Sequence, residues 1–291
     1  MKARSIHSTL SRRDFLTTTA ASFAAAGIMG SGCMSENKRA GAKAIPVGLQ
    51  LYSVRSECKK DLPGTIAKVA KMGYEGVEFA GYYDYEAQDI RKMLDDNGLL
   101  CCGTHTAMDT LSDENLAATI EFNRILGNRY LIVPWLKPDD ANPKQGWLAY
   151  AQRLNVVADK VKPAGMHVGY HSHAHDFHPI DGVMPWDILF GNTKQEVCMQ
   201  VDLGNTMQGG GDPIACLRRY PGRSLTVHLK EYSATNKNAI IGEGDIPWAE
   251  VFRICETTGG TRWYIIEEEK DVYPPLTAAE LCLKNYRKLR A

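Results

Sequence analysis

Histidine is the side chain whose ordinary titration falls between pH 5 and 8, and four of the eight histidines of this chain lie within eight positions. They are His171, His173, His175 and His178 in Gly169-Tyr170-His171-Ser172-His173-Ala174-His175-Asp176-Phe177-His178. Alternate residues of an extended segment share a face, so His171 and His173 are expected to point the same way, where paired imidazoles suit a metal or a proton relay. An apolar interior seldom holds two histidines without partners. His178, and in part His175, read as polar loop residues, and Asp176 supplies a carboxylate nearby.

Three further segments end in ligand-type side chains. Asp202 closes Val201-Asp202, where a carboxylate serves either as a ligand or as the cap of the following loop. His228 stands between apolar residues in Thr226-Val227-His228-Leu229, a setting shared by metal ligands and by satisfied core histidines. Glu267, Glu268 and Glu269 follow Tyr264-Ile265-Ile266, and alternation turns at least one of them inward. Four consecutive strand ends carrying His, Asp, His and Glu could hold one divalent cation.

The elements that must position these groups alternate along the chain. Eight apolar runs of strand length are expected at Val47–Tyr52, Gly76–Ala80, Leu99–His105, Tyr130–Trp135, His167–His173, Val197–Leu203, Leu225–Lys230 and Trp263–Glu267. Helical spacing separates them, most clearly over Trp147–Val161, where Trp147, Tyr150, Ala151, Leu154, Val157, Ala158 and Val161 share a face. Helices are also expected at Asp61–Met72, Asp89–Asn97, Asp113–Leu126, Trp186–Phe190, Pro213–Tyr220, Pro247–Thr257 and Thr277–Leu289. This alternation is the signature of parallel βα units and predicts an α/β fold, a single (β/α)8 TIM barrel, in which chemistry gathers at the C-terminal strand ends. No GxGxxG follows the first strand, which counts against a dinucleotide-binding sheet. Gly209-Gly210-Gly211-Asp212-Pro213 reads as a helix cap with proline at the first helical position rather than as a phosphate cradle.

Gly48-Leu49-Gln50-Leu51-Tyr52-Ser53-Val54-Arg55, Gly73-Tyr74-Glu75-Gly76-Val77-Glu78, Gly169-Tyr170-His171-Ser172-His173, His228-Leu229-Lys230 and Ile241-Gly242-Glu243-Gly244 together resemble the sugar phosphate isomerase/epimerase, or xylose isomerase-like, barrel family, and its exported branch most of all. The resemblance covers essentially all of the chain after its leader. It implies one Mn2+, Mg2+ or similar ion held by His171, Asp202, His228 and Glu267. His171 stands where the family usually has glutamate, so a symmetric epimerisation by two opposed glutamates lacks one of its bases. The remaining catalytic expectations are Glu267 as base with Asp176 or His173 as relay or opposing acid. Glu78, His105 and Lys230 are the expected contacts to substrate hydroxyls, with ion pairing or loop hydrogen bonding as the alternative. The implied chemistry is isomerisation or epimerisation of an unphosphorylated sugar through an enediolate. A 3-keto-glycoside lyase or 3-keto-glucal hydratase on the same scaffold is the runner-up. An endonuclease IV-like nuclease and a non-catalytic sugar-binding lipoprotein are the rivals from other classes.

Lys+Arg and Asp+Glu both total 34, so the formal charge is zero and no broad electrostatic grip on nucleic acid is expected. That composition disfavours the nuclease. At the N-terminus, Ser11-Arg12-Arg13-Asp14-Phe15-Leu16 opens a weakly apolar run to Met29 and resembles a twin-arginine export signal. Gly30-Ser31-Gly32-Cys33 looks like a lipoprotein cleavage box. Residues 1–33 are thus expected to be the export signal, 34–45 a polar tether and 46–291 the barrel, with membrane contact only through a lipid on Cys33 and a periplasmic or membrane-anchored location. Such a substrate folds in a reducing compartment before export, so the eight cysteines are expected mainly as buried thiols. Export through the arginine pair predicts that Arg12→Lys with Arg13→Lys traps precursor inside the cell. Cell fractionation measures this, and normal export of the double variant would refute it.

Overall fold

The computed structural model describes residues 44–138 and 141–291, so the expectations for Arg12, Arg13 and Cys33 lie outside the described residues. Ala44–Ala291 forms one compact unit. Its strands are β1 (Val47–Gln50), β2 (Gly76–Phe79), β3 (Leu100–His105), β4 (Tyr130–Val133), β5 (His167–His171), β6 (Cys198–Asp202), β7 (Thr226–Leu229) and β8 (Trp263–Ile266). All neighbours pair in parallel, and β1 pairs with both β2 and β8, closing the barrel expected from the alternation.

The helices around it are α1 (Arg55–Lys60), α2 (Leu62–Met72), α3 (Ala87–Asp96), α4 (Leu116–Leu126), α5 (Pro143–Val161), α6 (Pro185–Gly191), α7 (Leu203–Gln208), α8 (Pro213–Arg219), α9 (Trp248–Ile254) and α10 (Pro275–Leu289). Local chemistry sets their ends. Asp61 caps α2 by accepting from Gly64 N at 2.9 Å, Pro63 lies in the first turn, and Gly73 closes the helix at φ 93°, a conformation that disfavours a Cβ. Asp212 caps α8 by accepting from Ile214 N at 2.8 Å, with Pro213 next, as the cap reading of the glycine run requires. The buried face of α5 is Trp147, Ala151, Leu154, Val157, Ala158 and Val161, while Tyr150 of the expected stripe is partly buried.

Alternation divides each strand between two cores. Leu49, Val77, Leu131, Val168, Met199, Val201, Val227 and Ile266 face the helices. Cys102, Tyr130, Ile132, Cys198, Trp263 and Ile265 fill the bottom of the barrel. Trp263 and Tyr130 are too bulky for every strand to contribute a side chain there. Glycine therefore occupies Gly48, Gly76 and Gly169, where an added Cβ would lie 2.5 Å from Cys102 Sγ, 2.8 Å from Leu100 O and 2.5 Å from Cys198 O respectively. Above this plug the inward positions turn polar: Gln50, Glu78, Gln200 and Thr226, then His105, His171, Asp202 and His228.

The sequence reading ran most strands one or two residues too far at their C-terminal ends. Sheet pairing stops where the chain turns off to build the mouth. Leu51–Val54 is a 3-10 turn, Leu203 begins α7, and His173 precedes a second 3-10 turn at Ala174–Phe177. α1 and α7 were missed because each has only six residues and no apolar stripe of its own. The seven described cysteines are free, six of them buried. No described helix is long and apolar enough to cross a membrane.

Gly169→Ala pushes a methyl group against the β6 backbone and is expected to destabilise the fold by about 1–3 kcal/mol. A lower denaturant midpoint at unchanged m-value is the signature to look for.

Candidate active site

The polar half of the barrel interior opens into a cavity of about 620 Å3 at the C-terminal mouth. Its wall includes Tyr52, His105, Trp135, His171, His173, Asn205, Glu267 and Glu269. Register explains the convergence: β5, β6 and β7 pair His171 with Gln200 and Asp202 with His228, while Glu267 comes one residue after β8. One potential ligand atom from each of His171, Asp202, His228 and Glu267 lies within 4.8 Å of all the others, and all four residues are buried.

The hydrogen bonding around these groups is specific. Asp202 Oδ1 accepts from Asn205 N at 2.7 Å, capping α7, so the cap reading of this residue is correct for one oxygen. The other oxygen, Oδ2, is buried without a hydrogen-bond partner, 3.9 Å from His171 Nε2 and 3.8 Å from His228 Nδ1. A buried carboxylate oxygen left bare is costly, and a cation among these atoms would satisfy it. The donor set of two imidazoles and two carboxylates therefore fits a divalent ion, and two nitrogen donors favour a first-row transition metal over Mg2+.

His228 lies between two carboxylates, with Nε2 2.6 Å from Glu78 Oε2 and Nδ1 2.7 Å from Glu267 Oε2. Burial alone would lower its titration, but Glu78 and Glu267 together raise it to about 10. Burial likewise opposes the charge on Glu267, yet Lys230 and His228 hold that carboxyl well below the usual range. His171 is held far below the ordinary imidazole value by burial and by the neighbouring rings of His228 and His105, so it is neutral. Asp202 is pushed up to about 7 chiefly by burial.

Other expected site residues fall in different places. His105 and His173 reach the cavity wall, although His173 lies beyond the end of β5. The His171 and His173 ring centroids are 4.9 Å apart, and the His173 titration is lowered to about 4 by burial and His175. Asp176 lies deeper. It is fully buried and outside the wall, with Oδ1 accepting from Tyr170 Oη at 2.9 Å and Oδ2 from His173 N at 2.7 Å. Its Oδ2 thus helps hold the turn that presents His173, and its Oδ1 also stands 3.2 Å from His175 Nε2. Glu78 has 0% exposure and lies beneath His228, bonded also to Gln50 and Gln200, in line with the ion-pairing alternative. Lys230 is not part of the wall either; its Nζ pairs with Glu269 and stands 4.0 Å from Glu267 Oε1.

Gln50, Gln200 and Asn205 are the site residues that sequence reasoning missed. A signal existed for the first two, because each glutamine interrupts an apolar strand at an inward-facing position.

A parallel eight-stranded barrel with convergent His, Asp and Glu side chains at its C-terminal mouth defines a TIM-barrel protein whose mouth carries a group able to hold a metal ion. A family profile described as xylose isomerase-like TIM barrel matches residues 66–289, and the chain belongs to that family. It is 22% identical over 264 residues to the rhizopine catabolism protein MocC of Rhizobium meliloti, covering 78% of this chain and 81% of that protein. It is 21% identical over 244 residues to the inosose dehydratase of Clostridium beijerinckii (strain ATCC 51743 / NCIMB 8052), covering 71% and 81%. Among solved structures, a sugar phosphate isomerase/epimerase from Parabacteroides distasonis ATCC 8503 superposes with a TM-score of 0.73 at 24% identity, over 84% of this chain and 98% of that one, a likeness of fold.

The raised Asp176 carboxyl gives a pH prediction. Its folded-state value of about 7 exceeds the ordinary 3.8, so its protonated form contributes stability that is fully present below about 4 and is lost as pH rises through 7. Between those limits stability should fall by up to about 1.4 kcal/mol per pH unit from this group. Denaturant titrations across pH 4–7 should give a flatter slope for Asp176→Asn than for the wild type; equal slopes would contradict the assignment.

Proposed function

We propose that this protein is a metal-dependent sugar isomerase or epimerase that acts on an unphosphorylated sugar through an enediolate. Family membership and the names of its relatives support an enzyme that modifies sugars or similar polyols. The observation that carries the metal reading is the bare, buried Asp202 Oδ2 facing His171 and His228. An unphosphorylated substrate is supported by the cavity wall, which has no lysine or arginine among its described residues and does have Glu267 and Glu269. The neighbouring cations Lys230 and Arg55 are engaged, by Glu269 and by the Tyr52 ring respectively. Exposed aromatic faces at the mouth, Trp135 and Tyr52, suit the C–H faces of a sugar ring.

A divalent ion held by His171, Asp202, His228 and Glu267 would stabilise negative charge developing on a substrate oxygen. The protein side of the reaction belongs to groups on the wall. Glu267 is ionised and lies at the cavity edge, where it can accept a proton from a substrate carbon. Its depressed titration limits its strength as a base, so positioning must supply part of the rate. His173, neutral and on the cavity wall, is the group available to exchange a second proton. Glu78 stays beneath the site and holds His228.

The lyase or hydratase reading has an observation of its own. With imidazole at His171, Glu267 is the sole carboxylate of the ligand set on the wall, which suits a one-base path that ends in loss or addition of a beta substituent. The relative named as a dehydratase points the same way. A nuclease finds little support in a wall that carries carboxylates and no cationic side chain.

Asp202→Ala and His228→Ala are each expected to lose bound metal, measured on purified protein, while keeping the circular dichroism of the barrel. Fully active wild-type protein free of metal would end the proposal. In deuterated water, a panel of aldoses, ketoses and 3-keto-glycosides should reveal a substrate that takes up solvent deuterium. Glu267→Gln, loaded with metal, should slow that exchange by about 10²–10⁴-fold. Undiminished exchange would move the base to His173, and a binding protein without catalysis would show no exchange in any form.

A further inference from the structure

Gln200 lies two residues before Asp202 on β6, has 0% exposure, and has its whole amide engaged. Nε2 donates to Glu78 Oε1 at 2.8 Å and to Thr226 Oγ1 at 3.0 Å. Oε1 is 3.0 Å from His105 Nε2 and 2.9 Å from His171 Nδ1. The direction of this amide is dictated by its neighbour, because an ionised carboxylate only accepts and the NH2 group must face it. Its oxygen then meets both rings, and an amide oxygen also only accepts. Each ring nitrogen that touches it must carry hydrogen.

We propose that Gln200 is a positioning residue that sets the ring tautomers of His171 and His105, leaving His171 Nε2 bare toward the cation site and His105 Nδ1 bare for a substrate hydroxyl. A second contact supports the assignment for His171. Asn205 Nδ2 donates to Ser172 O at 3.1 Å, which identifies it as the amide NH2, and it lies 3.5 Å from His171 Nε2. A donor facing Nε2 fits a lone pair there and opposes a hydrogen. The bare Asp202 Oδ2 is 3.9 Å from the same nitrogen, so two potential ligand atoms share one region. Free histidine in water prefers its hydrogen on Nε2, which is the form that cannot bind a cation through that atom. Gln200 thus holds His171 in the minority tautomer, and the fraction of protein ready to take the ion rises accordingly.

The affinity part of this inference rests on the metal reading above, whereas the tautomer part does not, and the experiment separates them. Metal-free protein labelled with 15N-histidine is studied by two-bond 1H–15N spectra, with His171→Gln and His105→Gln used for assignment. The wild type should show hydrogen on Nδ1 of His171 and on Nε2 of His105. Gln200→Met, close in size and without a strong acceptor, should move His171 toward the Nε2–H form and weaken Mn2+ binding in calorimetry by about 10–100-fold. Glu78→Gln is the second variant, should Gln200→Met not fold. By offering its own NH2 it lets the Gln200 amide turn over, and the two tautomers should become mixed. A wild-type His171 with hydrogen on Nε2 overturns the proposal, as do tautomers unchanged in Gln200→Met. Tautomers as stated in a protein that binds no Mn2+ would uphold the role of Gln200 and sink the metal reading instead.

Discussion

Glu78 is an ionised carboxylate at 0% exposure in the middle of a barrel, and the polar half of the interior is arranged around its need for partners. Burial alone would raise its titration, yet the neighbouring positive character of His105 and His228 and its hydrogen bonds lower it. An uncompensated buried charge costs several kcal/mol, so each group facing Glu78 is constrained to present hydrogen to it. Gln50 does so with Nε2 at 2.7 Å, Gln200 with Nε2 at 2.8 Å, and His228 with Nε2 at 2.6 Å. The second constraint passes upward: with Nε2 committed below, His228 can offer only Nδ1 to the cavity, toward Glu267 and Asp202. A carboxylate donating order to a ligand histidine from beneath is the arrangement by which outer partners fix ring orientation at metal sites.

This polar layer is possible because the layer below it is sealed. Trp263, Tyr130, Ile132 and Ile265 close the bottom of the barrel, and glycines at 48, 76 and 169 admit their bulk without parting the strands. Water reaches the site from the mouth, where the wall combines aromatic faces with few charged groups. Low local polarity strengthens every interaction among His171, Asp202, His228 and Glu267, which is why their titrations diverge so widely although the four share one site.

The barrel and the membership of this cluster were legible in the sequence because both depend on period-two alternation at strand ends. Cys198, Gln200 and Asp202 show how much and how little that signal contains: it puts all three inside, but only depth separates packing, support and ligand. The depth of Glu78 and Asp176 was not legible for the same reason. A carboxylate near a strand end reads as a substrate contact or a relay, and nothing in the sequence says that His228 covers the first or that the second folds back onto the His173 amide. The short helices α1 and α7 and the early ends of the strands belong to the mouth, where hydrogen bonds between distant residues outweigh local propensity.

The same network accounts for the imidazole at His171. The Gln200 NH2 is committed to Glu78, so its oxygen must face β5. A glutamate at this position would bring a carboxylate oxygen against that amide oxygen, acceptor against acceptor, with no freedom to turn the amide over. Imidazole resolves the conflict by offering Nδ1–H below and a bare nitrogen above. Positions 171 and 200 are therefore a matched pair, set by the buried charge at Glu78. Electrostatics follows from the pairing: were a cation held here, a neutral imidazole in place of an anionic carboxylate would leave the site about one charge more positive, with Glu267 the carboxylate of the four-residue group that reaches the cavity wall.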